Sequence, residues 1–163
     1  DNPTYHRLGN HTEALQVDFD PDQLSYKDLL YEVLRRQDPF NNIGSTQYRN
    51  AIWYHSKHQY ETLCNQLEQN FDVTPDSPSL ETVISPAETF HRAENYHQKY
   101  YLRKFESYMQ LFEDLTPREF TDSTRAARLN GILAGKASDT NTVNLDELNL
   151  PEALEQDLIA RVS

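Results

Sequence analysis

Hydrophobic and polar residues alternate regularly over residues 14–20. Leu15, Val17 and Phe19 are separated by polar side chains, which is the period of a β-strand with one buried face. Pro21 interrupts the alternation directly afterwards. The pattern therefore predicts a first strand over these residues.

The next apolar residues have helical spacing and lie on one stripe: Leu29, Leu30, Val33 and Leu34. Ser25, followed three residues later by Asp28, has the arrangement of a capping box at a helix start. Asp38 precedes Pro39, and the residue before a proline avoids the α region. A helix is therefore predicted from Ser25 to about Gln37.

Further strands are predicted on both sides of a second helix. Residues 47–54 are rich in aromatic and β-favouring side chains, which predicts a strand. Apolar spacing predicts a helix over residues 57–71, and residues 81–85 form a short candidate strand around Val83 and Ile84. The first strand, helix and second strand have the order of a parallel pair joined by a right-handed crossover.

The rest of the chain is predicted to be mainly helical. Residues 90–101 and residues 103–111 both carry apolar side chains at helical spacing. Thr116, with proline after it and Glu119 three residues on, resembles a capped helix start. That helix is predicted to end at Gly131 or Gly135, and a last amphipathic helix begins after a proline at position 151. The fold class predicted is α+β, a mixed sheet with helices packed on it.

Composition and charge narrow the range of partners. The chain has 163 residues, 37% of them hydrophobic, which suffices for one domain with a core and an extension. Its net charge is -11, so we expect neither nucleic acid nor an anionic membrane surface as a partner. No apolar run approaches the roughly 20 residues that span a membrane. A protein partner docked through the acidic surface stays open.

The sequence contains one cysteine, Cys64, on the apolar stripe of the helix predicted over residues 57–71. A thiol at such a position behaves as a small hydrophobic group, so we expect a core role for it. A single cysteine excludes an internal disulfide and fits a reducing compartment. We therefore expect an intracellular protein, in the cytoplasm first and in mitochondria as the alternative. The six histidines lack the spacing and companion ligands of a zinc site, so no metal is predicted.

Polar groups collect at the edges of the predicted strand, helix and strand. Glu13 precedes the first predicted strand, Tyr48 begins the second, and Tyr5 lies a short loop upstream. A partly dry carboxyl group can donate a proton near neutral pH, and tyrosine hydroxyls can stabilise an oxygen that gains negative charge. The alternative is that Glu13 is a solvated loop residue and that the tyrosines only pack.

Eight short sequence blocks, taken together and in their order along the chain, resemble those of the A-type peptide methionine sulfoxide reductases, which reduce methionine-S-sulfoxide in proteins. The blocks are Pro3-Thr4-Tyr5, His11-x-Glu13, Asp20-Pro21, Ser25-Tyr26-x-x-Leu29-Leu30, Asp38-Pro39, Thr46-Gln47-Tyr48-Arg49-x-Ala51-Ile52, Tyr54-His55-Ser56 and Ala93-Glu94-x-Tyr96-His97-Gln98-x-Tyr100. The resemblance covers residues 3–101. A fainter similarity over residues 126–135 resembles the C-terminal extension of some animal members.

The resemblance implies roles for individual residues. Tyr5 and Tyr48 occupy the positions that bind the sulfoxide oxygen, and Glu13 occupies the position of the acid that protonates it. Glu94 and His97 lie in a block that borders the active site in the family, and both are expected as substrate-binding residues of second rank. Asn42 has the same rank, in a loop where the family usually carries Asn-Asp and this chain lacks the aspartate.

The family nucleophile is a cysteine in a Gly-Cys-Phe-Trp block that precedes the Pro-Thr-Tyr block. Residues 1–163 contain no such block, and residues 102–163 contain no cysteine that would resolve a sulfenic acid. We therefore expect no nucleophile in this chain and almost no turnover by the chain alone. Electrons would come from thioredoxin or another thiol reductant, and no bound cofactor is expected.

The elements predict an α+β domain over residues 1–102 and a helical extension over residues 103–163, and the resemblance implies that the domain is ferredoxin-like. The predicted function is reduction of methionine-S-sulfoxide in peptides and proteins by the parent protein, a repair of oxidative damage. The alternative is a noncatalytic member of the same fold that acts as a binding or structural subunit.

Overall fold

The structure, a computed structural model, describes residues 9–41, 44–135 and 145–162. The chain divides into two compact units, Asp1–Arg92 and Ala93–Ser163. The prediction of a reductase-like domain over residues 1–102 and an extension after it concerns family relationship rather than compactness, and it stays a prediction.

The first unit contains two helices and two strands, in the order α1 (Tyr26–Arg36), β1 (Ala51–Tyr54), α2 (Lys57–Phe71) and β2 (Val83–Pro86). Both helices lie where the sequence predicts them, because their start signals are local. The Ser25 hydroxyl accepts from the Asp28 backbone N–H at 3.2 Å, and the Asp28 carboxylate accepts from the Ser25 backbone N–H at 3.3 Å. This reciprocal pair satisfies two backbone donors at the start of α1.

The two strands pair in parallel, with Ile52 opposite Ile84 and Trp53 opposite Ser85. Helix α2 lies between them along the chain and supplies the connection that a parallel pair requires. The core of the unit is formed by α1, α2 and β1 through Leu30, Leu34, Ile52, Leu63 and Leu67. Leu63 and Leu67 are fully buried.

The strand predicted over residues 14–20 is wrong. This segment is not a strand, and two of its three alternating apolar side chains face solvent: Leu15 is 87% exposed and Val17 is 49% exposed, whereas Phe19 is partly buried. Alternation sets the direction of side chains, but a strand also needs a neighbour that takes up its backbone hydrogen bonds. Within the described ranges, no second strand pairs with this segment.

The second predicted strand is shorter than expected. Residues 46–48 form a turn in which the Tyr48 backbone N–H donates to the Ser45 carbonyl oxygen at 3.2 Å, so β1 begins only at Ala51. The third predicted strand is found as β2. The described chain therefore combines helices with a small, parallel, two-stranded sheet, which is an α+β arrangement; the ferredoxin-like topology stays a prediction.

The second unit is helical in its described residues. Its elements are a 3₁₀ turn at Leu102–Lys104, α3 (Glu106–Met109), a 3₁₀ turn at Gln110–Phe112, α4 (Pro117–Asp122), α5 (Thr124–Leu133), a 3₁₀ turn at Leu145–Leu148 and α6 (Glu152–Val162). The core consists of Leu102, Tyr108, Phe112, Phe120, Ala126, Leu129, Ile132, Leu148 and Leu158. The predicted last helix and the predicted cap at Thr116 are both present.

Three helix predictions in this unit are wrong in length or type. The helix predicted over residues 90–101 is not formed: residues 90–94 are irregular and residues 95–101 form turns, in which Lys99 has a φ of +53° that an α-helix excludes and Tyr96 and Tyr100 are more than half exposed. The helix predicted over residues 103–111 is broken into α3 and flanking 3₁₀ turns. The helix predicted from Arg118 is divided at Ser123, whose hydroxyl accepts from the Ala126 backbone N–H at 3.1 Å and starts α5.

None of the helices in the described ranges is both long enough and apolar enough to cross a membrane.

Candidate functional site

Two segments of the first unit are joined by hydrogen bonds at the predicted site. They are residues 11–13, which precede the exposed segment, and residues 46–49, which precede β1. Neither segment is a helix or a strand, so these bonds hold the site together in place of a regular ladder.

Glu13 makes two hydrogen bonds to a single partner, Gln47. The Glu13 backbone N–H donates to the Gln47 carbonyl oxygen at 2.9 Å. The Gln47 side-chain amide, through Nε2, donates to Glu13 Oε1 at 2.7 Å. One bond fixes the backbone and the other fixes the carboxyl group, while the Glu13 side chain as a whole is exposed.

Thr12 forms a second connection beside the first. Its hydroxyl donates to the Thr46 carbonyl oxygen at 2.8 Å and accepts from Arg49 Nε at 2.9 Å. The Arg49 contact is charge-assisted and partly buried, which makes it stronger than a neutral surface bond. The backbone at Thr12 is therefore held independently of the Gln47 side chain.

Tyr48 directly follows Gln47 in the turn, and its side chain is 48% exposed. The structure thus brings the chain segments of Glu13 and Tyr48 together, as the sequence predicts. His11 is the first residue of the segment that carries Glu13, and its ring packs edge to face on His91, with ring centroids 5.2 Å apart.

The other predicted site residues belong to the second unit or lie outside the described residues. Tyr5 and Asn42 lie outside the described residues. Glu94 and His97 belong to the second unit, where the His97 backbone N–H donates to the Glu94 carbonyl oxygen at 3.0 Å. The catalytic and substrate-binding roles assigned to all six residues stay predictions.

Cys64 lies half-buried on α2, beside the fully buried Leu63. Its thiol hydrogen-bonds Tyr60, and this contact raises the pKa of the Tyr60 phenol above its ordinary value. Cys64 therefore packs at the edge of the core of the first unit rather than at the centre of that core.

A hollow of about 570 Å³ lies at the C-terminal end of α1, where Leu34, Phe40 and Phe71 contribute to its lining. Neither Glu13 nor Tyr48 contributes to it. In the described portions of the chain, no group of three or more histidine, cysteine or acidic side chains could hold a metal ion. Because Glu13 and Tyr48 are both exposed, the candidate site lies at the protein surface, and hydrogen bonds between its two segments hold it together.

Sequence reasoning gave no role to Gln47, Thr12 or Arg49. Two of these, Gln47 and Arg49, flank Tyr48 in the quoted block, so their position was a usable signal. Their partners lie more than 30 positions away along the chain, and no local pattern identifies such pairs.

Comparison with known proteins gives a consistent result. The family model described as peptide methionine sulfoxide reductase matches residues 1–129 of the chain. The resemblance inferred from the sequence blocks is thereby confirmed.

Individual relatives agree with this match. The chain is 36% identical over 137 residues to the peptide methionine sulfoxide reductase of Drosophila melanogaster, covering 83% of this chain and 54% of that protein. It is 38% identical over 109 residues to MsrA of Deinococcus radiodurans, covering 61% of this chain and 53% of that protein. It is 31% identical over 138 residues to peptide methionine sulfoxide reductase A5 of Arabidopsis thaliana, covering 82% and 54%. The chain therefore spans about half the length of these curated relatives.

Proposed function

Since the chain belongs to the peptide methionine sulfoxide reductase family, we propose that the protein in which these residues occur reduces methionine-S-sulfoxide in peptides and proteins. The observation that carries the proposal is the family match over residues 1–129. The hydrogen bond between Gln47 and Glu13 supports the proposal, because this bond holds the Glu13 carboxyl group beside the segment of the half-exposed Tyr48.

In this proposal Glu13 is the proton donor, and Tyr48 and Tyr5 bind the sulfoxide oxygen. A thiolate attacks the sulfoxide sulfur while Glu13 protonates the oxygen, and proton transfer of this kind accelerates reactions by roughly 10² to 10⁴. The oxygen ends on the attacking sulfur as a sulfenic acid, and methionine is released. Two electrons pass from the thiol to the sulfoxide, and a further thiol then reduces the sulfenic acid with loss of water. Asn42, Glu94 and His97 are proposed as substrate contacts of second rank.

The attacking thiol is assigned to a Gly-Cys-Phe-Trp block, which residues 1–163 do not contain. Cys64 is not proposed for this role, because it lies half-buried on α2 among core leucines. The proposed electron donor is thioredoxin or a similar thiol reductant, and the proposed setting is intracellular, the cytoplasm first. We also retain the ferredoxin-like topology as a proposal.

A noncatalytic role as a binding or structural subunit is the other candidate. No observation favours it, since the relatives compared above are all named as reductases. A noncatalytic subunit is expected to bind peptides with oxidised and unoxidised methionine equally well.

Peptide binding tests the oxygen site on the 163-residue chain itself. Calorimetry with a short peptide containing methionine-S-sulfoxide should detect binding, and the R epimer and the unoxidised peptide should bind at least fivefold more weakly. Tyr48→Phe and Glu13→Gln should each weaken binding about tenfold, the equivalent of one lost hydrogen bond to a polar group. Tyr31→Phe, in an equally exposed tyrosine of α1, is the control. Equal affinity for all three peptides contradicts the oxygen site.

Reduction is tested on the protein in the full length that its natural source produces. Incubated with dithiothreitol and the S-sulfoxide peptide, it should release a product lighter by one oxygen atom in mass spectrometry. Glu13→Gln should lower kcat by about 10² or more. Failure of the unchanged protein to reduce the peptide would overturn the proposed function.

A further inference from the structure

We propose that Gln47 is the positioning residue for Glu13, and that its amide selects which carboxyl oxygen delivers the proton. This inference rests on the proposed function. It starts from the bond between Gln47 Nε2 and Glu13 Oε1, which is 2.7 Å long and joins residues 34 positions apart.

The geometry separates this bond from the folding of the segment. The backbone of residues 12–13 is already held by the Glu13 N–H bond to the Gln47 carbonyl and by the two bonds of Thr12. Replacing the Gln47 side chain leaves all three in place. What it removes is the hydrogen bond that, within the described residues, orients the exposed carboxyl group.

The chemistry follows from what each group can donate. An amide N–H needs an acceptor, and in a protonated carboxyl group the better acceptor is the carbonyl-type oxygen that carries no hydrogen. With Oε1 taken by Gln47, the acid proton resides on Oε2. In the proton-transfer step the Oε2–H bond breaks and an O–H bond forms on the sulfoxide oxygen. Glu13 is left as a carboxylate, still accepting from Gln47.

Orientation has a large effect in a site of this kind. The Glu13 side chain is exposed and has several rotatable bonds, so without a partner it samples many directions. A fixed direction lowers the entropy lost when the proton is transferred. Gln47 therefore acts on the rate of the chemical step, while the contacts that bind the rest of a peptide are unaffected.

The test is steady-state kinetics on the protein as its source makes it, with the S-sulfoxide peptide and dithiothreitol. Gln47→Leu should lower kcat about tenfold, a part of the roughly 10² to 10⁴ that a positioned acid supplies, with KM within twofold. Gln16→Leu, the same substitution at an exposed glutamine three residues beyond Glu13, should leave both constants unchanged. Thermal unfolding of each variant verifies that the fold is retained.

The pH profile of Gln47→Glu distinguishes positioning from packing. An introduced glutamate has nearly the shape of glutamine, but it donates a hydrogen bond only when protonated, and a neighbouring carboxylate favours that protonated form. The ratio of its kcat to that of the unchanged protein should rise as pH falls from about 7 to about 5. The same ratio for Gln47→Leu should stay flat.

A direct contact test requires no turnover. In the 163-residue chain, Glu13→Ala should shift the side-chain NH₂ resonances of Gln47 and leave those of Gln16 in place. Unchanged kcat in Gln47→Leu, a flat profile in Gln47→Glu, or Gln47 resonances insensitive to Glu13→Ala would each overturn the positioning role. An unchanged protein that reduces nothing overturns the proposed function and this inference together.

Discussion

The hydroxyl of Tyr108 lies 2.8 Å from Asp157 Oδ2 and 2.9 Å from the carbonyl oxygen of Leu154, so this buried phenol donates to two acceptors of α6. The Tyr108 side chain is fully buried. Burial, followed by the nearby Asp157 carboxylate, raises the pKa of this phenol well above its ordinary value. Tyr108 is therefore a neutral donor that attaches the last helix to the core of the second unit.

Tyr108→Phe should destabilise the protein by about 1–2 kcal/mol, because the substitution keeps the ring and removes the donor of a partly charged hydrogen bond. Urea unfolding followed by circular dichroism measures the change. Tyr100→Phe is the matched control, since Tyr100 is 54% exposed and should have almost no effect. Equal stability of Tyr108→Phe and the unchanged protein would contradict the attachment role.

Asp157 predicts a pH dependence. Hydrogen bonds from Arg161, and then from Tyr108, hold the pKa of Asp157 below its ordinary value. A carboxyl group whose pKa is lower in the folded state stabilises the fold above its unfolded pKa of about 3.9, and this contribution is lost as pH falls through the folded value.

The midpoint of thermal unfolding should therefore differ between the unchanged protein and Asp157→Asn at pH 6. The difference should become smaller as pH falls below the unfolded value and through the folded pKa of Asp157, because the native carboxyl group then also loses its charge. A difference of constant size from pH 6 to pH 2 would show that the charge of Asp157 is not its cause.

The capping box of α1 predicts a graded effect. Ser25→Ala should cost about 1 kcal/mol, because the Asp28 backbone N–H loses its acceptor, whereas Ser25→Gly should cost only a few tenths. Chemical denaturation measures both. If alanine and glycine give the same cost, the hydroxyl acceptor is not what starts the helix.

The different burial of two leucines predicts a large loss of stability for leucine to alanine at one position and almost none at the other. Leu67→Ala should cost about 2–5 kcal/mol, because Leu67 is fully buried between α1 and α2. Leu15→Ala should change the free energy of unfolding by less than about 0.5 kcal/mol, since Leu15 is 87% exposed. Similar costs at the two positions would contradict the exposed placement of residues 14–20.

The features that sequence predicts correctly are those with local causes. Ser25 and Asp28 are three residues apart, and their reciprocal bonds need nothing beyond the first turn of α1. The same holds for Thr116 and Glu119 at the start of α4. Capping chemistry and apolar spacing therefore fix where these helices begin.

The features that sequence predicts wrongly depend on distant partners. The alternation of Leu15 and Val17 is that of a strand, yet pairing depends on what lies beside the segment, which alternation does not specify. Tyr96 and Tyr100 have helical spacing, but neither is buried against a core, and Lys99 adopts a left-handed conformation. In both cases the period was real and the buried surface it implied was not formed.

The candidate site lies between these cases. The positions of Glu13 and Tyr48 at the edges of predicted elements, and then the resemblance, identified them as residues of one site, and the described structure joins their segments. The bond from Gln47 to Glu13 was not predictable, because it links residues in two irregular segments. Such bonds follow from the placement of the loops rather than from any period in the sequence.

The exposed segment that carries Leu15 and Val17 also affects behaviour at high protein concentration. An exposed, partly apolar stretch that pairs with no strand of the described residues is the kind of sequence that can associate between copies. Asp18 and Asp20 are charges of the type that oppose such association, and the whole chain adds to them with its net charge of -11. Colloidal stability of this chain therefore depends on charge repulsion, and it weakens as salt is added or as pH approaches the isoelectric point near 4.9.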